Sequence, residues 1–354
     1  MLQNLLDPLR NYRHAPGDPK LAVRIDITNK CNLLCKMCHY PATVKEPKFD
    51  MDTALMRRIV EQVLPHAAWA TLSCQYEPLM ARNFDEVLEL IRDSPCPIGL
   101  TTNATLFSER RVRSLVENPA IGCISISIDG GTKETFERIR VNGRWDKLMT
   151  NLRMLGDALR ARKAEGLRVP AIQFNTVLMK STAMELPQMM EVVVRSEGNS
   201  VAAIRYVPVN PELDENIDDW EAVMPALVRA KQMAHDHGIE LLLPLEDPRL
   251  DPERDTRRET DANVAAVGRF SPYCEAPWSG VQIQPNGDIH PCAYYGESFG
   301  NLREQDFVEI WNNDRYCALR RSLARVKLCA KCAECNPHGY DNMERKGRIN
   351  TKIS

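Results

Sequence analysis

From residue 21 to about residue 240, short apolar runs alternate with longer segments of helical periodicity. LAVRIDI (21–27), WATLSC (69–74), IGLTTN (98–103), CISISID (123–129), AIQFNTVLM (171–179) and VAAIRYVPV (201–209) are brief and rich in β-branched residues, which predicts strands. Between them apolar positions return every three or four residues. This predicts helices over 53–64, 84–93, 108–116 (opened by Ser108), 145–166, 184–198 and 218–238. Six strands, each followed by a helical segment, predict an α/β fold: a parallel sheet with helices outside it and the working loops at the C-terminal strand ends. Periodicity alone does not choose between an open sheet and a barrel.

Beyond residue 240 the texture changes. LEDPRLDPERDTRRETDAN (245–263) is charged and broken by prolines, as in a linker or an exposed excursion. VQIQPNGDIHPC (281–292) reads as two short strands around an Asn-Gly turn, and 306–326 as one helix. The organisation expected is an extension over 1–20, a main domain over 21–240, a linker over 241–270, a small domain over 271–338 and a polar tail over 339–354. No apolar run is long enough to span a membrane, and the first residues lack the pattern of a signal peptide, so a cytoplasmic protein without membrane association is expected. Lys plus Arg number 46 and Asp plus Glu 48, a net charge of -2, which argues against nucleic acid as a partner.

Twelve cysteines are unevenly placed. Cys31, Cys35 and Cys38 lie directly after the first strand; Cys274, Cys292, Cys329, Cys332 and Cys335 form a second group. In a reducing compartment such clustering points to metal or iron–sulfur ligation rather than disulfides. Three thiolates on one loop can hold three irons of a cubane and leave the fourth open. Zinc normally closes four ligands. A Cys3His set completed by His39 would put two ligands on adjacent residues, a poor fit to a tetrahedron.

CNLLCKMC resembles the C-x3-C-x2-C signature of radical S-adenosylmethionine enzymes. The resemblance implies a partial (β/α)6 TIM-like barrel over 21–240. It also implies a [4Fe–4S] cluster on Cys31, Cys35 and Cys38, whose open iron is chelated by S-adenosylmethionine. One electron, from a donor such as flavodoxin or ferredoxin, then yields a 5′-deoxyadenosyl radical that takes hydrogen from substrate. SCQYEPLM stands where the family has a Gly-Gly-Glu-Pro-like segment, suggesting Tyr76 and Glu77 as cofactor contacts, although Gln75 and Tyr76 replace the glycines. SISIDG suggests Ser127 and Asp129, and the fifth strand Asn175. Met37 occupies a position often aromatic in the family, and Tyr40 could supply that aromatic face. Arg205 suits a carboxylate or an ordinary ion pair. Cys74, ending the second strand, is a candidate hydrogen donor to a substrate radical.

The second cysteine group resembles a SPASM or twitch extension. Its six cysteines, counting Cys317, fall short of the two-cluster form, so one auxiliary [4Fe–4S] cluster is expected. Cys274, Cys292, Cys329 and Cys332 are the favoured ligands, with Cys335 as the alternative to one of the last pair and Cys317 packed within a helix. Taken alone, this group would suit a zinc ribbon equally well.

Such enzymes act on ribosomal peptides, on sulfatases, or on sugars and other small molecules. Only twenty residues precede the first strand here, too few for the leader-peptide domain of many peptide-modifying relatives. The expectation is therefore oxidation or epimerisation of a small polar metabolite, such as a sugar, an aminoglycoside or a natural-product intermediate. Peptide modification is the alternative, and a non-catalytic metal-stabilised binding protein is the second.

Overall fold

The structure is a computed structural model that describes residues 20–210, 212–245, 247, 249–250, 274–325 and 327–333. In chain order, β1 (Leu21–Ile25) leads into a long loop holding the short α1 (Tyr40–Thr43), then α2 (Thr53–Gln62), β2 (Ala67–Leu72), α3 (Phe84–Leu90), β3 (Ile98–Thr102), α4 (Glu109–Glu117) and β4 (Ile121–Ser127). There follow α5 (Lys133–Ile139), α6 (Trp145–Ala164), β5 (Ala171–Leu178), α7 (Lys180–Met184), α8 (Leu186–Arg195), β6 (Ser200–Arg205), α9 (Trp220–Asp236) and β7 (Glu240–Leu242). The C-terminal part adds α10 (Ala276–Ser279), β8 (Gly280–Ile283), β9 (Ile289–His290), α11 (Phe307–Trp311) and α12 (Asp314–Ala324).

The nine strands of the described residues form one mostly parallel sheet, ordered β7-β6-β5-β4-β3-β2-β1-β8-β9. The expected α/β fold, with six βα units in series as in a partial TIM-like barrel, is present, and three further short strands extend it. One of these, β8, lies parallel to β1 (Ala22 opposite Gly280, Ile25 opposite Ile283). β8 and β9 are antiparallel, as the Asn-Gly signal predicted. Gly287 in their turn has φ +98°, and a Cβ there would stand 2.7 Å from Asn301 Oδ1.

Three expected segments differ. The helix over 184–198 is split at Glu185 into α7 and α8, with Pro187 in the first turn of α8. The strand over 201–209 ends at Arg205. The helix over 306–326 is broken at Asn312–Asn313. There the Asn313 side chain accepts from Tyr316 N at 3.1 Å and donates to Phe299 O at 2.6 Å, so a new helix starts on its own cap.

The chain divides into two compact units. One comprises Ile27–Asp50 and Thr71–Pro252, the other Met1–Asp26, Met51–Ala70 and Glu253–Ser354. In the first, the strands bury Leu100, Ile124, Ile126, Phe174 and Val201 almost completely. Thr101, Ser125, Ser127, Gln173, Asn175 and Ala202, which alternate with them, stay half-buried. Parallel sheets are usually covered on both faces. Here one face carries the core, and the other is lined by small and polar side chains.

The second unit is centred on Arg320, fully buried between the rings of Trp311 (4.4 Å from Cζ to the centroid) and Tyr316 (4.8 Å). Its Nε and Nη1 donate to the carbonyls of Pro277 and Trp311, each at 2.8 Å. Burial lowers its pKa to about 10. Arg320→Ala is expected to reduce the unfolding free energy by about 3 kcal/mol through lost hydrogen bonds, lost ring contacts and a cavity. Denaturant titration of the variant against the parent protein measures this.

Candidate functional site

The loop after β1 carries Cys31, Cys35 and Cys38 and is fastened at its base by Asp50. That carboxylate accepts from Thr28 Oγ1 and Lys30 Nζ, each at 2.7 Å. Asn29 adds bonds to Pro47 O and from Phe49 N, both 2.8 Å. Farther along, Leu34 N donates to Val141 O and Lys36 N to Ile139 O, so the cysteine loop rides on the end of α5. The three thiols lie close enough for their charges to act on one another. Burial pushes the Cys31 thiol up to about 11 and Cys35 to about 12.

Arg140 is a functional candidate that the sequence reading missed. It is buried, its Nη1 lies 4.0 Å from Cys35 Sγ, and its Nη2 and Nε reach Asp129 Oδ2 at 2.6 and 2.9 Å. Asp129 Oδ1 accepts from Val177 N at 2.6 Å and Thr176 Oγ1 at 3.3 Å. Asp129, expected at the cofactor, thus spends both oxygens on Arg140 and β5. Gly130 follows it at φ +137°, where a Cβ would meet Phe136 N at 2.6 Å. No periodic pattern marks an arginine in IRVNGRW; only its burial does.

The segment after β2 turns at Ser73 (φ 90°), whose hydroxyl donates to Tyr76 O. Glu77 is buried, and its carboxylate accepts from Thr102 Oγ1 and Asn103 N, both 2.7 Å, and from Leu79 N at 3.3 Å. Its own N–H donates to Lys30 O, tying this segment to the cysteine loop. A second link, also unforeseen, runs from Asn103 Nδ2 to Asn32 Oδ1 (3.0 Å) and from Asn32 Nδ2 to Thr105 Oγ1 (2.8 Å). Desolvation raises the Glu77 pKa to about 7.

Tyr40 and Tyr76 meet edge to face at 5.9 Å. Met37 packs against the apolar cluster of Ile139, Met179, Tyr206 and Leu213. Ser127 and Asn175 are register partners on adjacent strands, so their side chains share the open face. Gln173 Nε2 donates to Asn175 Oδ1 at 2.7 Å. Cys74 is half-buried in the loop after β2. Arg205 lies over the Trp220 ring at 5.9 Å. The structure therefore gathers the triad, Arg140, Asp129, Glu77 and the two tyrosines around loops at the C-terminal ends of β1 to β5.

In the other unit burial, and then the charges of Cys329, Cys274 and Cys292, raise the pKa of the Cys332 thiol. Burial pushes Cys274 up to about 11. Cys329 Sγ is 3.9 Å from Tyr295 Oη, and the Tyr295 ring packs on Phe299 at 5.0 Å. Cys317 sits on α12 and bonds Asn312 O. Cys335 lies outside the described residues. Among the described residues no three Cys, His, Asp or Glu side chains are gathered as tightly as a single bound ion requires; a four-iron cluster spans its ligands more widely. Buried thiols with raised pKa values suit such a group, because bound iron supplies the positive charge that ionises them.

Residues 25–191 match the model of the radical SAM superfamily, and residues 274–336 match SPASM, an iron–sulfur cluster-binding domain. The chain is 22% identical over 324 residues to a tungsten-containing aldehyde ferredoxin oxidoreductase cofactor-modifying protein of Pyrococcus furiosus, covering 88% of this chain and 86% of that protein. It is 24% identical over 331 residues to a PqqA peptide cyclase of Xanthomonas oryzae, covering 89% and 80%. The crystal structure of Streptococcus suis SuiB bound to S-adenosylmethionine superposes with a TM-score of 0.68 at 16% identity, covering 97% of this chain and 78% of that one. SuiB has also been crystallised with the precursor peptide SuiA. No described helix is long and apolar enough to cross a membrane.

The buried Glu77 carboxyl has a testable cost. Its folded pKa, about 7 against the ordinary 4.5, is raised by burial. Its contribution to stability is therefore complete below pH ~4.5 and lost as pH rises through ~7, roughly 3 kcal/mol in all. Urea unfolding of cluster-free protein should show that decline between pH 5 and pH 8. In Glu77→Gln the decline should shrink by about that amount.

Proposed function

Because this chain belongs to the radical S-adenosylmethionine superfamily and carries a C-terminal SPASM iron–sulfur domain, we propose that it is an enzyme that modifies a peptide or protein side chain by radical chemistry. The observation that carries this reading is the similarity to the PqqA peptide cyclase along 89% of the chain. The SuiB likeness, for a protein crystallised with its precursor peptide, agrees with it. This reverses the preference for a small polar metabolite. That second reading keeps one support, the relative from Pyrococcus furiosus named as a cofactor-modifying protein.

In this proposal Cys31, Cys35 and Cys38 hold the [4Fe–4S] cluster of the catalytic site, and Cys274, Cys292, Cys329 and Cys332 hold the auxiliary one. When bound, the first cluster supplies the electron, received from a flavodoxin or ferredoxin, that cleaves S-adenosylmethionine to the radical which takes a substrate hydrogen. Arg140 lies against Cys35 and favours its thiolate, and Asp129 holds Arg140 in place. Tyr40, Tyr76, Ser127 and Asn175 offer the cofactor its aromatic and polar surface. Glu77 positions the segment that carries Tyr76 and, once a cationic amine comes near, can ionise against it. Cys74 remains the candidate hydrogen donor. In the auxiliary site the Cys329 thiol donates to Tyr295 Oη at 3.9 Å; with Cys329 as a thiolate holding a cluster, the phenol would donate to the sulfur instead and would favour the reduced form.

Anaerobic reconstitution should give about eight irons per chain. Replacing Cys31, Cys35 and Cys38 together by Ala should halve that number and abolish formation of 5′-deoxyadenosine with dithionite. Failure of fully loaded protein to form 5′-deoxyadenosine would sink the enzymatic reading. Deuterium passing into 5′-deoxyadenosine from a labelled peptide supports the proposed substrate class, and passage only from a labelled sugar or other metabolite reverses it. In a separate measurement, Tyr295→Phe should make the auxiliary-cluster potential more negative in an EPR-monitored titration while leaving that of the catalytic cluster unchanged.

A further inference from the structure

Strand register brings a cation from the start of the chain to the second cysteine group. β8 runs parallel to β1, with Ala22 opposite Gly280 and Arg24 opposite Gln282. β9 runs antiparallel to β8, with His290 opposite Gln282. Partners across a ladder share a face of the sheet, so Arg24, Gln282 and His290 lie on one face. Cys292, two residues beyond His290, continues the same row, at the level of Gly280. β1, β8, β9 and Cys292 all belong to one compact unit.

The Arg24 side chain is seated, not loose. Its guanidinium lies over the Trp69 ring, 5.7 Å from the centroid. Its Nη1 is 3.8 Å from the point where a Cβ at Gly280 would stand. Gly280 follows α10 directly, and α10 begins two residues after Cys274, whose Sγ accepts from Ala276 N at 3.4 Å. Gln282, the register partner of Arg24, is turned to Asp26 and donates to its Oδ2 at 2.9 Å. The guanidinium is thereby left beside Gly280, at the level where Cys292 passes.

That charge reaches the thiol. Burial raises the Cys292 pKa, and the N–H groups of Tyr294 and Tyr295 and then the charge of Arg24 act against the rise. A guanidinium stays charged throughout the pH range of a folded protein, so its effect is a fixed positive potential. Lys331, between Cys329 and Cys332 in the chain, is answered by Glu297 at 2.7 Å. Four thiolates give a [4Fe–4S] cluster a net negative charge, and taking up one electron adds to it. A fixed cation beside one ligand favours the more negative state.

We propose that Arg24, held on Trp69, is the charge that sets how readily the auxiliary cluster takes up an electron. This role rests on the reading that Cys274, Cys292, Cys329 and Cys332 hold that cluster. It adds a positioning residue from the first strand, some 250 residues from the cysteine pattern in the chain.

The test uses the full chain with Cys31, Cys35 and Cys38 replaced by Ala, reconstituted anaerobically so that the auxiliary cluster alone is loaded. An EPR-monitored titration reads its midpoint potential. In Arg24→Gln the ratio of reduced to oxidised cluster at a fixed potential should fall about tenfold, a shift of about 59 mV to the negative side for one electron. Arg24→Lys keeps the charge and should recover more than half of that shift. Arg24→Glu should move further negative than Arg24→Gln. An unmoved potential in Arg24→Gln overturns the proposal. So does Arg24→Lys shifting as far as Arg24→Gln, because packing on Trp69 rather than charge would then matter. If Arg24→Gln loads fewer than about four irons, Gly280→Asp decides instead. Gly280 has φ -145°, which any residue adopts, and the new carboxylate would stand beside Arg24 Nη1 and answer its charge. The potential should again move negative, and no movement overturns the proposal. Iron well below about four per chain before Arg24 is changed, or zinc in its place, overturns the auxiliary-cluster reading and this role with it. A full iron load with an unmoved potential overturns this role alone.

Discussion

The buried ion pair between Asp129 and Arg140 holds the candidate catalytic region together. Taking two charges out of water is costly, and the cost is met here by close geometry and by further hydrogen bonds to the same carboxylate. Asp129 stands where β4 ends and bonds the backbone of β5 at Val177; Arg140 stands where α5 ends and reaches Cys35. Two strands, one helix and the cysteine loop therefore meet through one carboxylate. The backbone bonds from Leu34 and Lys36 to Val141 and Ile139 repeat the same connection in the main chain. A loop with three thiols would otherwise be a poor scaffold, because nothing in its own sequence fixes the thiol positions.

Glu77 does similar work on the neighbouring loop by a different means. Among the described residues it has no cation at hydrogen-bond distance, only two N–H groups and a hydroxyl. Burial raises its pKa while these donors hold the carboxyl in place; Asp129 has a guanidinium to answer it. Two buried acids within one group of loops thus differ in role because one has an arginine and the other has amides.

The sheet itself is unequal from face to face and from edge to edge. Its helix-covered face carries the core; its open face is polar on β4 and β5 and aliphatic on β6 and β7. The division follows from the register, which sets Ser127, Asn175, Ala202 and Leu242 in one row across four strands.

The sequence by itself determined the repeated βα order, the hairpin around Asn286–Gly287 and the two cysteine groups, because these rest on local periodicity, turn chemistry and ligand spacing. CNLLCKMC was legible as chemistry before any fold was known, since three thiols within one loop have few other uses. Only the tertiary structure revealed that β8 lies along β1, that Arg140 stands at Cys35, that Asp129 is spent on it, and that Asn32 and Asn103 join two loops. Each of these is a contact between residues far apart in the chain or within an irregular loop, where no period exists to be read. The break between α11 and α12 was hidden for a related reason. Asn313 caps α12 by accepting from Tyr316 N, and its bond to Phe299 O, across the turn that follows β9, holds that cap in place.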